Sequence, residues 1–196
     1  MQTERSRQKA DRRQRLLRAA AQLFAERGFH GVSIEDLGAA AGISGPAVYR
    51  HFPNKEAVLE AVLVDISERL LDGGRTGVTE AEDAAAALQR LVAFHTDFAL
   101  GEPELISVQG RDLSSLSTGA ARRVRRLQRE YVEVWVGVLR ALDPPLTTED
   151  ARTRAHAVFG LLNSTPYSGR SSADSTARAT LEQMALGALR SAPTVG

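Results

Sequence analysis

The amino-acid sequence predicts an all-α protein with a small N-terminal domain and a larger C-terminal one. Apolar residues recur at helical spacing along most of the 196 residues, whereas the alternation typical of β-strands never lasts. Prolines and glycines divide this pattern into segments of helical length. Two short helical segments joined by a glycine, within residues 33–52, are typical of a helix-turn-helix.

The first helix is predicted from about Ala10 to Arg27, ending at Gly28. It carries one apolar stripe, and its N-terminal half is rich in cations. We expect residues 1–9 to form a flexible basic arm that attracts phosphate, with a solvated, disordered tail as the simpler interpretation. The cations of this region are Arg5, Arg7, Lys9, Arg12, Arg13, Arg15 and Arg18.

The segment 33–52 contains the start and stop signals of two helices. Ser33 can cap the first helix, and Asp36 stands where a capping-box acid belongs. Gly42 can adopt the left-handed conformation that a sharp turn needs. Ser44 then caps a second helix, with Pro46 in its first turn and its end near His51. Such a second helix can enter a DNA major groove, although two surface helices of an ordinary bundle would show a similar pattern.

A further helix is predicted from Asn54, its cap, to about Leu71. Lys55 lies in its first turn, where the helix dipole disfavours a cation, so we expect it to have another partner. That partner is a DNA phosphate in the functional interpretation, and Glu56 or solvent in the simpler one. Residues 72–77 are predicted to be a linker, because their glycines disfavour a helix.

The N-terminal quarter resembles the DNA-binding domain of the tetracycline repressor (TetR) family. The resemblance rests on FAERGFHG from Phe24, on residues 33–37 and on AGISGPAVYRHFPNKEAV from Ala41, and it covers about residues 10–60. It implies a homodimeric transcriptional regulator, most often a repressor, that binds double-stranded operator DNA until a small hydrophobic effector releases it. The corresponding domains are the arm 1–9, a helix-turn-helix domain 10–56, a connector helix 57–72, and an effector-binding and dimerisation domain 73–196.

The predicted DNA contacts lie at the start of the first motif helix, along the second and, for Lys55, at the start of the helix that follows. Ser44, Tyr49, His51 and Lys55 are expected mainly on phosphates. The family often has Lys, Gly and Thr where this chain has Gly45, Pro46 and Ala47, so its operator sequence does not follow from the resemblance. The complete predicted set is Ser33, Ser44, Gly45, Pro46, Ala47, Tyr49, Arg50, His51 and Lys55, with Gly45, Pro46, Ala47 and Arg50 facing base edges.

Five more helices are predicted, at about 80–100, 104–113, 119–142, 149–162 and 175–190. The last two carry small apolar residues, and the resemblance implies that they form a four-helix dimer interface; an intramolecular core is the alternative. The residues of these faces are Ala151, Ala155, Val158, Phe159 and Leu162, and Ala177, Leu181, Met184, Ala185 and Leu189.

A set of large apolar side chains with a few polar tips predicts an effector pocket, although each residue alone is more typical of a core than of a ligand contact. An arginine run, Arg122 to Arg129, is interpreted as a solvated face or as a clamp for an anionic ligand such as an acyl-CoA. The predicted pocket residues are Phe94, His95, Phe98, Ile106, Gln109, Leu113, Tyr131, Trp135, Phe159 and Asn163.

Composition excludes several other classes of protein. Cysteine is absent, which rules out disulfides and cysteine-ligated zinc, and the longest apolar run is too short for a membrane span. We therefore expect a cytoplasmic protein without a metal or cofactor. No serine elbow, phosphate loop or metal-binding histidine pair indicates an enzyme. The alternative function is a helical protein-interaction adaptor without sequence-specific DNA binding.

Overall fold

A computed structural model describes residues 4–168 and 175–190, and the regular structure in these ranges is entirely helical. This confirms the all-α prediction. No described helix is long and apolar enough to cross a membrane. The helices are α1 (Glu4–Arg27), α2 (Ile34–Ala40), α3 (Gly45–Tyr49), α4 (Lys55–Thr79), α5 (Ala84–Gly101), α6 (Pro103–Asp112), a 3-10 turn (Leu113–Ser115), α7 (Thr118–Leu142), α8 (Thr148–Leu162), α9 (Thr165–Ser168) and α10 (Ser175–Arg190).

The chain forms two compact units. The N-terminal unit contains the described residues up to Ile66 together with Ser107–Val124, and the C-terminal unit contains Ser67–Ile106 and the described residues from Arg125 onward. These units divide the chain at other residues than the predicted domains do. The physical reason is that α4, α6 and α7 are each long enough to contribute residues to both cores.

In the N-terminal unit, α1 packs against α2 and α2 against α3. Leu16, Phe24, Leu37 and Val48 are completely buried in this core. The helix α1 begins at Glu4 instead of about Ala10. Residues 4–9 of the predicted arm are thus helical, because this stretch consists largely of residues that favour helix; residues 1–3 lie outside the described ranges.

The predicted linker at residues 72–77 is wrong, because this segment is part of α4. Gly73 and Gly74 lie against the rings of Phe94 and Tyr131, which leave no room for a side chain. Close packing against these rings offsets the poor helix propensity of the two glycines. Sequence propensity alone could not reveal this compensation.

The C-terminal unit is built around α10, which packs against both α5 and α8. Most residues assigned to the dimer interface are buried inside this unit, so for them the intramolecular alternative is correct. Packing α10 on its own subunit uses the most apolar stripe of each helix. The residues buried in this way are Ala151, Ala155, Val158, Leu162, Ala177, Ala185 and Leu189.

Candidate functional site

The first helix of the motif begins with the predicted capping box. The Ser33 hydroxyl accepts a hydrogen bond from the Asp36 backbone N–H at 3.1 Å, and an Asp36 carboxylate oxygen accepts one from the Ser33 backbone N–H at 2.9 Å. The Ser33 hydroxyl also donates to this carboxylate at 2.7 Å. These bonds hold the pKa of Asp36 below its ordinary value. They fix the start of α2, and the DNA contact predicted for Ser33 stays a prediction.

The turn between α2 and α3 depends on two glycines. Gly42 has a φ of +68°, as the sequence predicted. Gly38 is the second, because a β-carbon there would lie 2.8 Å from the carbonyl oxygen of Ile43 and 3.0 Å from the Gly45 nitrogen. Ala39 and Ala40, the small residues that follow Gly38, are exposed. Gly38 therefore sets how closely α2 and α3 approach.

The short helix α3 is anchored on one side and open on the other. Val48 is completely buried and Phe52, just beyond the helix, is 5% exposed. Pro46, Tyr49 and Arg50 are exposed, and their spacing of three and four residues places them on one face. A rigid helix thus presents a proline, an aromatic ring and a guanidinium together.

The other predicted contacts on α3 surround this face. Ser44 stands at the N-cap position and is exposed, although its side chain makes no capping hydrogen bond. Gly45, Ala47 and His51 are half-buried. The helix ends at Tyr49, so His51 lies just beyond it instead of in its last turn.

Lys55 has partners that the sequence analysis did not consider. Its Nζ donates to the carbonyl oxygens of Phe29 and Val32, both at 2.7 Å. It also lies 4.4 Å from the centroid of the Phe29 ring. An ammonium group has three N–H donors, so at most one remains for a DNA phosphate. In this structure Lys55 holds the loop between α1 and α2.

The same loop is held from a distant part of the chain. The Arg111 guanidinium donates to the carbonyl oxygens of Phe24 and Ala25, and it pairs with Asp112 at 3.1 Å. Asp112 is 4% exposed and accepts the backbone N–H of Phe29 at 3.5 Å. No local sequence pattern signals these contacts, because more than 80 residues separate the partners.

In the C-terminal unit, His95 is the centre of an aromatic cluster. Its Nδ1 lies 3.2 Å from the Tyr131 hydroxyl and its Nε2 lies 3.1 Å from the amide oxygen of Asn163. The Phe159 ring is 4.9 Å from the imidazole and 5.0 Å from the Trp135 ring, centroid to centroid. Burial lowers the pKa of His95 to about 4 and raises that of Tyr131. The imidazole is therefore neutral at pH 7.

Among the described residues, one polar atom on α5 and one on α7 are buried without a hydrogen-bond partner of ordinary geometry. They are Nε1 of Trp135 and Oγ1 of Thr96, whose residues are both completely buried. Buried polar atoms are usually hydrogen-bonded, so these two are exceptions among the described residues.

The structure brings together most of the predicted pocket residues, namely His95, Phe98, Tyr131, Trp135, Phe159 and Asn163. Phe94 packs against Gly73. Ile106 is the last residue of the segment Ser67–Ile106, which belongs to the C-terminal unit. Gln109 and Leu113 belong to the N-terminal unit. Two cavities of the C-terminal unit, of about 570 and 390 Å³, are lined by other residues, including Glu133 in the larger and Leu146 in the smaller.

Comparison with known proteins identifies both parts of the chain. Residues 16–62 match the model of bacterial regulatory proteins of the tetR family, and residues 81–187 match that of the tetracyclin repressor-like C-terminal domain. The chain belongs to the TetR family. A TetR-family protein is a DNA-binding transcriptional regulator, which accounts for the exposed face of α3; the adaptor alternative is not favoured.

Individual relatives of this TetR-family chain are regulators as well. It is 31% identical to the transcriptional repressor KstR2 of Rhodococcus jostii over 68% of this chain and 66% of that one, slightly less than two thirds of the relative's length. The solved structure of the TetR-family regulator PfmR from Thermus thermophilus is 25% identical, with a TM-score of 0.76 over 89% of this chain and 97% of the other. The Bacillus subtilis regulator FadR, solved with stearoyl-CoA, shares the fold at 17% identity, with a TM-score of 0.67 over 90% and 95%.

Proposed function

We propose that this TetR-family regulator is a homodimeric repressor that leaves its operator when a small hydrophobic effector binds the C-terminal unit. The observation that carries the proposal is the geometry of α3. Val48 fixes the helix in the core while Pro46, Tyr49 and Arg50 face outward together. A helix held at a fixed angle with one exposed face is what major-groove insertion requires.

The proposal assigns different tasks to the residues on and around α3. Ser33, Ser44, Tyr49 and His51 are proposed to contact phosphates, which supplies affinity independent of sequence. Gly45, Pro46, Ala47 and Arg50 are proposed to face base edges, with Arg50 as the side chain able to make a bidentate contact to guanine. Lys55 has at most one N–H for this purpose.

Selection of bound fragments from the source genome tests DNA recognition. We expect one or a few fragments to be enriched over bulk competitor at moderate salt. Arg50→Ala should then reduce the preference for the selected fragment more than it reduces binding to random DNA, since base contacts discriminate by about 1–3 kcal/mol. Failure to enrich any fragment would contradict the proposal.

A second face of α8 and α10 supports the dimer. One exposed face of these helices carries mostly small or apolar residues, which permits close helix packing between subunits. Met184, the largest of them, is 54% exposed. This face consists of His156, Ala157 and Gly160 on α8, and Met184, Gly187 and Ala188 on α10, all of which are exposed. A dimer reads two half-sites, which gives one short recognition helix the affinity and specificity that it lacks alone.

The aromatic cluster around His95 is proposed as part of the effector site. An effector with an apolar body and a hydrogen-bond acceptor would suit the apolar surroundings and could accept a hydrogen bond from the buried indole N–H of Trp135. Because His95 is neutral, we expect an uncharged group of the ligand at this position.

An acyl-CoA is the specific effector that we propose to test first. FadR of Bacillus subtilis shares this fold and was solved with stearoyl-CoA. Arg125 and Arg129 are exposed on α7, the helix that also carries Tyr131 and Trp135. Guanidinium groups suit the phosphates of coenzyme A.

A titration with stearoyl-CoA, coenzyme A and stearate separates the parts of this ligand. We expect only the complete thioester to release the selected DNA fragment and to raise the melting temperature. Release by stearate alone would show that the protein recognises the acyl group and that the arginines are not needed for this recognition. No effect from any of the three would remove acyl-CoAs from the proposal and leave other hydrophobic effectors.

A further inference from the structure

The helix α4 contains two neighbouring glycines that lie directly against aromatic rings of the C-terminal unit. A β-carbon on Gly73 would overlap the Cζ end of the Phe94 ring. A β-carbon on Gly74 would lie 2.6 Å from Cε2 and 3.2 Å from Cδ2 of Tyr131. Both rings therefore rest on the helix backbone itself.

These contacts are specific to two positions of α4. Gly77, one turn further along the same helix, would accept a β-carbon, whose nearest neighbour would be Cβ of Arg90 at 3.7 Å. That distance is an ordinary van der Waals contact. Glycine is unfavourable inside a helix, so a pair of them indicates that the close approach of the rings has a use.

The ring that rests on Gly74 is also connected to the rest of the aromatic cluster. The Tyr131 hydroxyl lies 3.2 Å from Nδ1 of His95, and its ring stacks on Phe159 at a centroid distance of 5.6 Å. Phe94 directly precedes His95 on α5. A ligand that inserts among these side chains has to displace some of them, because packed interiors hold little unused volume, and Tyr131 is the member that contacts α4.

We propose that Gly73 and Gly74 are the positioning residues through which occupancy of the aromatic cluster acts on α4. Displacement of Tyr131 or Phe94 changes the force on the helix backbone at these two positions. The same helix begins at Lys55, next to the recognition motif in the sequence. This inference rests on the proposed function, since it names the place where the effector site is coupled to DNA binding.

The unmodified protein offers a direct measurement, because Trp135 is the single tryptophan of the chain. It is completely buried, and its ring lies 6.2 Å from that of Tyr131. Coupling between two sites is reciprocal, so the selected operator fragment should change the emission and acrylamide quenching of Trp135. Bound DNA that leaves both unchanged would overturn the inference. Failure to bind any fragment would instead overturn the proposed function.

Two matched variants of α4 test the contacts themselves. Gly74→Ala pushes on the Tyr131 ring and should weaken operator binding at least tenfold, as effector binding would. Gly77→Ala adds the same methyl group where there is room and should leave operator binding within twofold. Equal operator affinity of Gly74→Ala and the parent protein would overturn the inference.

A compensating change distinguishes coupling from simple loss of structure. Gly73→Ala should also weaken operator binding. Adding Phe94→Leu, which removes the obstructing ring, should reverse at least half of the change in log Kd for the operator. Helix content measured by circular dichroism is expected to be the same in all variants. If Phe94→Leu restores folding stability but no operator affinity, the contact is structural and the inference is wrong.

Discussion

Replacing Lys55 by alanine tests whether this cation holds the α1–α2 loop or contacts DNA. The substitution removes two charge-assisted hydrogen bonds of 2.7 Å, to Phe29 and Val32, and a cation–π contact at 4.4 Å. Buried bonds of this kind contribute roughly 1.5–3 kcal/mol each. Lys55 is half-buried and therefore partly screened by solvent, so about 1 kcal/mol per bond is appropriate. With about 0.5–1 kcal/mol from the ring, the expected loss is about 2.5–3 kcal/mol.

Urea unfolding followed by circular dichroism measures this loss. For an m-value of about 2 kcal/mol/M, the midpoint of the transition that reports the N-terminal unit should fall by about 1–1.5 M. Trp135 belongs to the C-terminal unit, so its emission provides an internal reference that Lys55→Ala should not change under native conditions.

The salt dependence of DNA binding tests the alternative role of Lys55, a contact with a DNA phosphate. If Lys55 mainly contacts a phosphate, Lys55→Ala lowers the slope of log K against log salt by about 0.9, with stability unchanged. Arg50→Ala is the matched control, since Arg50 is exposed on α3 and its loss should affect DNA binding without affecting stability. A lower salt slope together with an unchanged urea midpoint for Lys55→Ala would refute the structural role.

Three further measurements test other parts of the molecule. Arg111→Met leaves the buried Asp112 carboxylate without its cation, and we expect urea unfolding to show a loss of about 1–3 kcal/mol; an unchanged midpoint would mean that the pair is dispensable. Burial holds the pKa of His95 at about 4, below the value of about 6.5 in the unfolded chain. Its neutral form therefore contributes stability that is complete above about pH 6.5 and is lost as the pH falls toward 4. Stability should drop by about 2 kcal/mol from pH 7 to pH 5, and His95→Gln should abolish this dependence; an equal drop in the variant would assign it to other groups. On the exposed face of α8 and α10, Ala157→Glu and Met184→Glu should each raise the dimer dissociation constant at least tenfold in sedimentation equilibrium, whereas an unaffected dimer would place the interface elsewhere.

The sequence alone was sufficient for features whose causes are local. The capping box of Ser33 and Asp36 and the positive φ of Gly28 and Gly42 follow from residues within a few positions of each other. Such signals depend on hydrogen bonds and backbone conformations inside one turn of chain. They were enough to predict the helices, the helix-turn-helix and the family.

Contacts between distant residues were decided only by the tertiary structure. The glycines at 73 and 74 have the composition of a linker, yet they continue α4 because Phe94 and Tyr131 pack against them. The dipole argument correctly predicted a partner for Lys55, but the carbonyl oxygens of the α1–α2 loop could not be foreseen. Likewise, α8 and α10 each have more than one apolar face, and packing determines which face is buried inside the subunit. The physical reason is the same in each case: long-range packing selects among locally acceptable conformations and partners, and local propensity contains no information about that choice.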